Sequence, residues 1–251
     1  MFWHRIHQSL YSGFIRHQKD GARVCTRYSL TSPPEAVRAF FHAPRVDDFP
    51  PRYNIAPSQP VLIARNDVLG SPELQLVRWG LIPSWVRDPR ALRSTLVNAR
   101  AETAAEKPAF RGALRHRRCL IPTTGFYEWT GKKTARQPHL ICLKDYDLFA
   151  LAGIWECWLG ADGSEIETMS ILTTAANGDV SHLHDRMPVI IAKQDFERWL
   201  DCRSGSFDDI LDLLRPLPDG SLRAMPVTSR VNDPRAEGPG IHEPAASPLL
   251  L

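Results

Sequence analysis

Cysteine is scarce in this chain and poorly arranged for cross-linking. The five residues, Cys25, Cys119, Cys142, Cys157 and Cys202, are odd in number, scattered, and never in CxxC spacing. That argues against a disulfide framework or a structural zinc site and fits a reducing, cytoplasmic compartment. Cys119, Cys142 and Cys157 lie in apolar runs and read as inert core residues. No stretch approaches the roughly 18–20 consecutive apolar residues of a membrane span, so no membrane partner is expected. No glycine-rich phosphate loop or metal-ligand spacing occurs, and no cofactor or metal is expected. There is no internal repeat and no alternation of strands with long helices, which argues against a doubly wound parallel sheet.

What is present is an ordinary apolar fraction, 43% of 251 residues, enough for one sizeable core. Short apolar runs at Val61–Ala64, Leu74–Trp79, Cys119–Ile121, His139–Leu143, Leu148–Trp155 and Thr168–Thr174 read as strands separated by turn residues. Val189–Ala192 and Ala224–Val231 read as two more. Ser32-Pro33-Pro34-Glu35 reads as a capping box before a short helix carrying Val37, Phe40 and Phe41. Ala99–Glu106 has high helix propensity, and Lys193–Asp201 and Ser206–Leu214 read as short amphipathic helices. Residues 44–58 read as loop. The expected fold is α+β, with mostly antiparallel sheets forming a barrel-like core and a few short helices.

One domain is expected over residues 24–232, followed by a Pro/Gly/Ala-rich disordered tail, 233–251. Residues 1–23 fit poorly with the rest: their apolar runs are too short for a secretory signal, and no A-x-A site follows. The functional chain is expected to begin at Val24, since a GTG start codon appears as Val when translation is taken from too far upstream. Loss of the initiator would then expose Cys25 as the N-terminus. A propeptide removed autolytically is the other reading.

Positive charge is concentrated. From Val86 to Arg118 there are nine Arg and Lys against three acids, a local charge of +6 in a chain of total +3. Phe110 and Leu114 share one helical face, leaving Arg111, Arg115 and Arg118 on another. A basic stretch beside Trp85 suggests phosphate contact with base stacking. Ser181–Pro188, with His184, Asp185 and Arg186 ahead of an apolar strand, sits where a catalytic loop commonly sits.

Seven segments carry a resemblance when taken in order: Cys25-Thr26-Arg27-Tyr28, PRYNIAP at 51–57, WGLIPSW at 79–85, NARAET at 98–103, EKPAF at 106–110, GFYEW at 125–129 and HDRMP at 184–188. Together they resemble the SRAP family, the SOS-response-associated peptidase or abasic-site processing proteins, from about Val24 to Val231. Thr26 stands where that family usually has Gly. The resemblance implies recognition of abasic sites in single-stranded DNA, and nucleoid association when bound. It implies a covalent link through Cys25, with Asn98, Glu128 and His184 as the other active-site residues. Arg27, Asn54, Arg100 and Arg186 match positions lining the DNA groove. A monomer is expected.

The chemistry is coherent. An opened abasic sugar offers an aldehyde at C1′. An N-terminal cysteine offers an amine with pKa near 8 and a thiol near 8.5. The amine forms a Schiff base, and the thiol closes onto it as a five-membered thiazolidine. His184 has the intrinsic pKa of a proton shuttle. Glu128, flanked by Tyr127 and Trp129, is a candidate for a raised pKa or for stabilising the iminium. A Schiff base at C1′ also permits β-elimination as a lyase side activity. Two other classes are consistent with the residues: a cysteine or N-terminal-nucleophile peptidase with Cys25 as thiolate and His184 as base, and a single-stranded nucleic-acid binding module without chemistry.

Overall fold

β-branched and aromatic runs broken by Gly and Pro dictate a strand-rich chain. The computed structural model describes residues 25–92, 94–132, 135–204 and 206–245. Its strands are β1 (Tyr28–Leu30), β2 (Arg52–Ile55), β3 (Pro60–Asn66), β4 (Pro72–Trp79), β5 (Asn98–Arg100), β6 (Arg118–Thr123), β7 (Gly125–Thr130), β8 (Gln137–Leu143), β9 (Phe149–Leu159), β10 (Glu165–Ala175), β11 (Arg186–Pro188), β12 (Ile190–Ile191) and β13 (Leu222–Pro226). The α-helices are short: α1 (Pro34–Phe41), α2 (Ala101–Ala104), α3 (Arg111–His116) and α4 (Phe196–Leu200). None is long and apolar enough to cross a membrane.

Antiparallel pairings join β4 to β3, β3 to β6, β6 to β9 and β9 to β10. A parallel pairing of β10 with β4 closes the ring into a five-stranded barrel, which removes its edges. A second sheet, ordered β13-β8-β7-β1-β2, is antiparallel throughout. This is the α+β, mostly antiparallel architecture that the strand pattern predicts. The two sheets share a core: Phe126 and Ile141 of the second sheet are buried with Ile63, Leu120, Ile121 and Met169 of the barrel. Tyr28 meets Trp79 edge to face at 5.4 Å, locking the start of β1 onto β4.

The far half of β10 organises the site. There the barrel splays, and β11 pairs with Thr173–Ala175 on one side. On the other side β5 pairs with Ile171–Thr173. Gly80 makes this possible: its φ of +129 turns the chain out of β4, and a Cβ there would come 2.5 Å from Thr95 Cγ2.

Several expectations are corrected. Residues 44–58 contain a strand, β2, because Tyr28 and Leu30 offer it backbone partners. Of the helix expected over Ala99–Glu106, Ala101–Ala104 forms, but Ala99 and Arg100 are extended, since pairing with β10 outweighs local propensity. Ser32 does not cap α1; Pro33 takes that position and no side chain caps it. The segment read as a helix over Ser206–Leu214 is 3₁₀, started by a capping box between Ser206 and Asp209. Arg118 is not on an exposed basic face. It is buried, and its guanidinium donates to the carbonyls of Trp199 at 2.6 Å, Leu114 at 3.1 Å, Arg115 at 3.3 Å and Asp201. Of the three cysteines read as core, Cys119 is fully buried, whereas Cys142 and Cys157 are only partly so.

The segment after Asp233 was expected to be disordered, yet 233–245 is packed. Ile241 is fully buried with Tyr127, Val227 and Val231 in a second cluster. His242 Nε2 lies 2.8 Å from the Tyr127 hydroxyl, and Pro244 bridges to Val227. One buried Ile and polar contacts to backbone outweigh a loop-like composition. Residues 246–251, like 1–24, lie outside the described residues. Ile241→Ala is expected to cost about 2–4 kcal/mol of stability, read as a fall in urea midpoint. A change below about 0.5 kcal/mol would mean that the segment is unpacked in solution.

Candidate active site

Glu128 is the unusual residue. It lies on β7 with its side chain toward the barrel, only 2% exposed, in a position that apolar residues would ordinarily fill. One carboxylate oxygen, Oε1, accepts a hydrogen bond from the backbone nitrogen of Cys25 at 2.6 Å. Burial pushes the carboxyl up to about 8, the field of Asp185 adds to the rise, and the Cys25 hydrogen bond opposes it. At neutral pH the group is therefore mostly protonated and able to give a proton.

Cys25 is fully buried, and burial together with the nearby Glu128 holds its thiol well above its ordinary value. Its φ is +38, in the left-handed region that a residue with a Cβ occupies at a cost of order 1 kcal/mol or more. Asn98, carried by β5, reaches the Cys25 carbonyl with Nδ2 at 3.5 Å. The amide of one strand and the carboxyl of another thus grip successive backbone groups of Cys25.

The turn before β11 brings the remaining groups. It is anchored by Asn177, whose Nδ2 donates to Leu217 O at 3.2 Å. Asp179 also anchors it, accepting from the nitrogens of Gly220 at 3.0 Å and Leu222 at 2.9 Å. His184 Nδ1 accepts from the Arg186 backbone nitrogen at 3.0 Å and lies 2.8 Å from Asp185 Oδ1. With Nδ1 accepting, the ring proton is on Nε2; protonation of the ring would exchange the Arg186 contact for one to Asp185. The negative charge of Asp185 on this turn acts on Glu128, adding to the rise in its pKa.

The groove residues separate into two kinds. Arg100 is exposed on β5, two residues from Asn98 and on the same face. Trp85 is 64% exposed at the mouth of a cleft of about 500 Å³ lined by Pro83, Arg111, Gly112, Arg117 and Glu156. Arg27 and Asn54 turn inward. Arg27 donates to Asn54 Oδ1 at 2.8 Å and Val231 O at 2.9 Å. Asn54 is fully buried, with Nδ2 donating to Asp233 O at 2.8 Å and Ala236 O at 3.1 Å. Arg186 is held by Glu102 at 2.5 and 2.8 Å and by the Thr173 carbonyl at 2.6 Å. The sequence reading missed Glu102, although its place two residues beyond Arg100 was a usable signal. Among the described residues no group of three or more His, Cys, Asp or Glu could hold a metal.

A closed barrel with a buried cysteine held by a carboxyl and an amide at its splayed end, and an imidazole-bearing turn leading into β11, defines the class of fold and site. The comparisons give that class a family: the sequence model described as SOS response associated peptidase (SRAP) matches residues 24–234, and the chain belongs to that family. A relative named abasic site processing protein YoqW, from Bacillus subtilis (strain 168), is 37% identical over 225 residues, covering 88% of this chain and 99% of its own. One named abasic site processing protein HMCES, from Gallus gallus, is 32% identical over 219 residues, covering 75% and 65%. A crystal structure of a protein from Bacteroides thetaiotaomicron superposes with a TM-score of 0.80 at 30% identity, covering 88% of this chain and all of that one.

The buried carboxyl makes stability depend on pH. Between the unfolded value near 4.3 and the folded value of about 8, the folded state keeps a proton that the unfolded state has lost. Stability therefore falls as pH rises through that window. Glu128→Gln cannot ionise, so it is expected to resist denaturant better than wild type at pH 9 and about equally at pH 4. Equal midpoints at both pH values would mean that the carboxyl is not desolvated.

Proposed function

We propose that this protein processes abasic sites in single-stranded DNA by forming a covalent adduct through Cys25. The observation that carries this reading is the 2.6 Å contact between the Cys25 nitrogen and Glu128. If Cys25 is the N-terminal residue, that nitrogen is a primary amine, and the carboxyl beside it is the group that takes or returns its proton. Names borne by relatives, abasic site processing proteins, support the same substrate.

The steps balance without a cofactor. The neutral amine attacks the C1′ aldehyde and forms a C–N bond. Protonation of the resulting hydroxyl, by Glu128 or His184, lets it leave as water and gives the imine. The thiol then adds across the C=N bond: sulfur bonds to C1′, and its proton goes to nitrogen. The net change is aldehyde plus aminothiol to thiazolidine plus one water. The thiolate is the attacking form and burial holds the resting thiol protonated, so the proton must leave sulfur as the C–S bond forms. Asn98 fixes the Cys25 carbonyl and hence the direction of both nucleophiles. Arg100 and the exposed Trp85 would meet phosphate and base directly. Arg186 sits where it could do so only by sharing its bond to Glu102. Arg27 and Asn54 would serve by holding the wall of the groove.

A cysteine-peptidase reading with a resting thiolate is disfavoured, because burial and Glu128 both oppose the thiolate. Autolytic release of the residues before Cys25 is a different matter. The left-handed φ at Cys25 places strain at that junction, and Glu128 lies against the nitrogen that would leave. Hydrolysis there consumes one water and exposes the amine that the DNA chemistry needs.

The protein as isolated, its N-terminus read by intact mass, should begin at Cys25 and shift single-stranded DNA bearing one abasic site on a denaturing gel. Cys25→Ala should abolish the shift. Glu128→Ala and His184→Ala should slow it, by about 10²-fold or more for a proton-transfer residue, with DNA affinity retained. A complex that falls apart on denaturation would leave only a binding module; peptide cleavage without a DNA adduct would favour the peptidase.

A further inference from the structure

β7 and β8 are antiparallel, and the residue directly opposite Glu128 is His139. The two side chains leave the same face of the sheet. On β7, Phe126 belongs to the barrel core and Tyr127 to the outer cluster, so Glu128 points with Phe126. On β8, Ile141 belongs to the barrel core and Leu140 to the outer cluster, so His139 points with Ile141. Directly opposed side chains have Cβ atoms about 4.5–5.5 Å apart. An imidazole therefore stands beside the buried carboxyl, on a rigid strand rather than on the turn that carries His184.

This imidazole has unused capacity. His139 Nδ1 is shielded from solvent and makes no close hydrogen bond, although the Gln137 backbone lies near enough to favour the protonated ring. On the other neighbouring strand, β13, the residue opposite His139 is Pro226, which has no N–H to give. A buried ring nitrogen left open in this way costs stability unless it serves something. The groups acting on the pair are Cys25 ahead of β1 and Asp185 on the turn before β11, both on Glu128, and His182 of the same turn, on His139.

We propose that His139 is a positioning residue that exchanges a proton with Glu128, letting that carboxyl act as acid in one step and base in the next. The exchange is balanced: the Glu128 proton passes to the imidazole, leaving a carboxylate and an imidazolium, and returns when the carboxyl must donate. Burial holds His139 below its ordinary value, the Gln137 backbone opposing and His182 adding to the fall, while burial holds Glu128 above its own, so the resting pair is uncharged at neutral pH. In a dry site, a transient ion pair costs less than a lone carboxylate.

The inference rests on the function proposed above, so the test has two arms. In the first, rates of adduct formation on abasic single-stranded DNA are compared for wild type, His139→Phe and His139→Gln from pH 5.5 to 9. Phe keeps the bulk and Gln keeps hydrogen bonding, but neither titrates. Both are expected to be about five- to tenfold slower at pH 7, with the rising limb moved about one pH unit to the alkaline side. A uniform slowing without displacement, or a wild-type profile in His139→Gln, would overturn the proposal and leave His139 a packing residue. In the second arm the Glu128 carboxyl is titrated by ¹³C NMR in wild type and both variants without DNA. Its midpoint is expected to move upward when His139 is replaced; an unmoved midpoint overturns the proposal whether or not an adduct forms. Absence of an adduct from wild type together with a moved midpoint would reject the DNA reading and keep the coupling.

Discussion

The short contact between the Cys25 nitrogen and the Glu128 carboxyl is the constraint on which the rest of this structure depends. A carboxyl at 2% exposure opposes folding unless something in the site uses it. Here it receives a single hydrogen bond from the backbone of the residue that carries the thiol. The same contact holds the Cys25 nitrogen ahead of β1, where the backbone is left-handed and burial, with Glu128 adding to it, keeps the thiol protonated. Three properties that would be separate faults in an ordinary core become one arrangement.

Two sheets are needed to build it. Glu128 comes from the second sheet, Asn98 and the turn bearing His184 from strands on either side of β10 where the barrel opens. The barrel contributes rigidity: Trp79 is fully buried, ties β1 to β4 through Tyr28, and donates its indole N–H to Val97 just ahead of Asn98. Cys25 and Asn98 are thus referenced to the same tryptophan. The groove wall is held from a third direction, by Asn54 and Arg27 gripping the segment from Val231 to Ala236. Residues that look like ligand-binding groups in a list can act in this way one step removed.

Much of this was legible in the sequence. The barrel strands β3, β4, β6, β9 and β10, and β8 of the second sheet, follow from apolar runs bounded by turn residues, because burial and pairing agree there. Glu128 was legible through its flanking aromatics, since a carboxyl between Tyr127 and Trp129 is set in a strand that packs on both faces. What was not legible depends on long-range pairing. Ala99-Arg100 has the composition of a helix start and joins a strand only because β10 offers it partners. Arg118 has the composition of a basic surface and is buried because four carbonyls converge on it. His139 sits in an unremarkable apolar run, and only the register of β7 against β8 sets it beside Glu128. The tail beyond Asp233 is loop-like by composition and is held by a single Ile in a cluster that no local pattern announces.

The most direct measurement is a crystal structure of the protein after reaction with single-stranded DNA carrying one abasic site. Density joining C1′ to both the nitrogen and the sulfur of Cys25, with a Glu128 oxygen still within about 3 Å of that nitrogen, is the expected result. Attachment of the sugar to a lysine, or to Cys25 sulfur alone with Glu128 turned away from its nitrogen, would contradict the account.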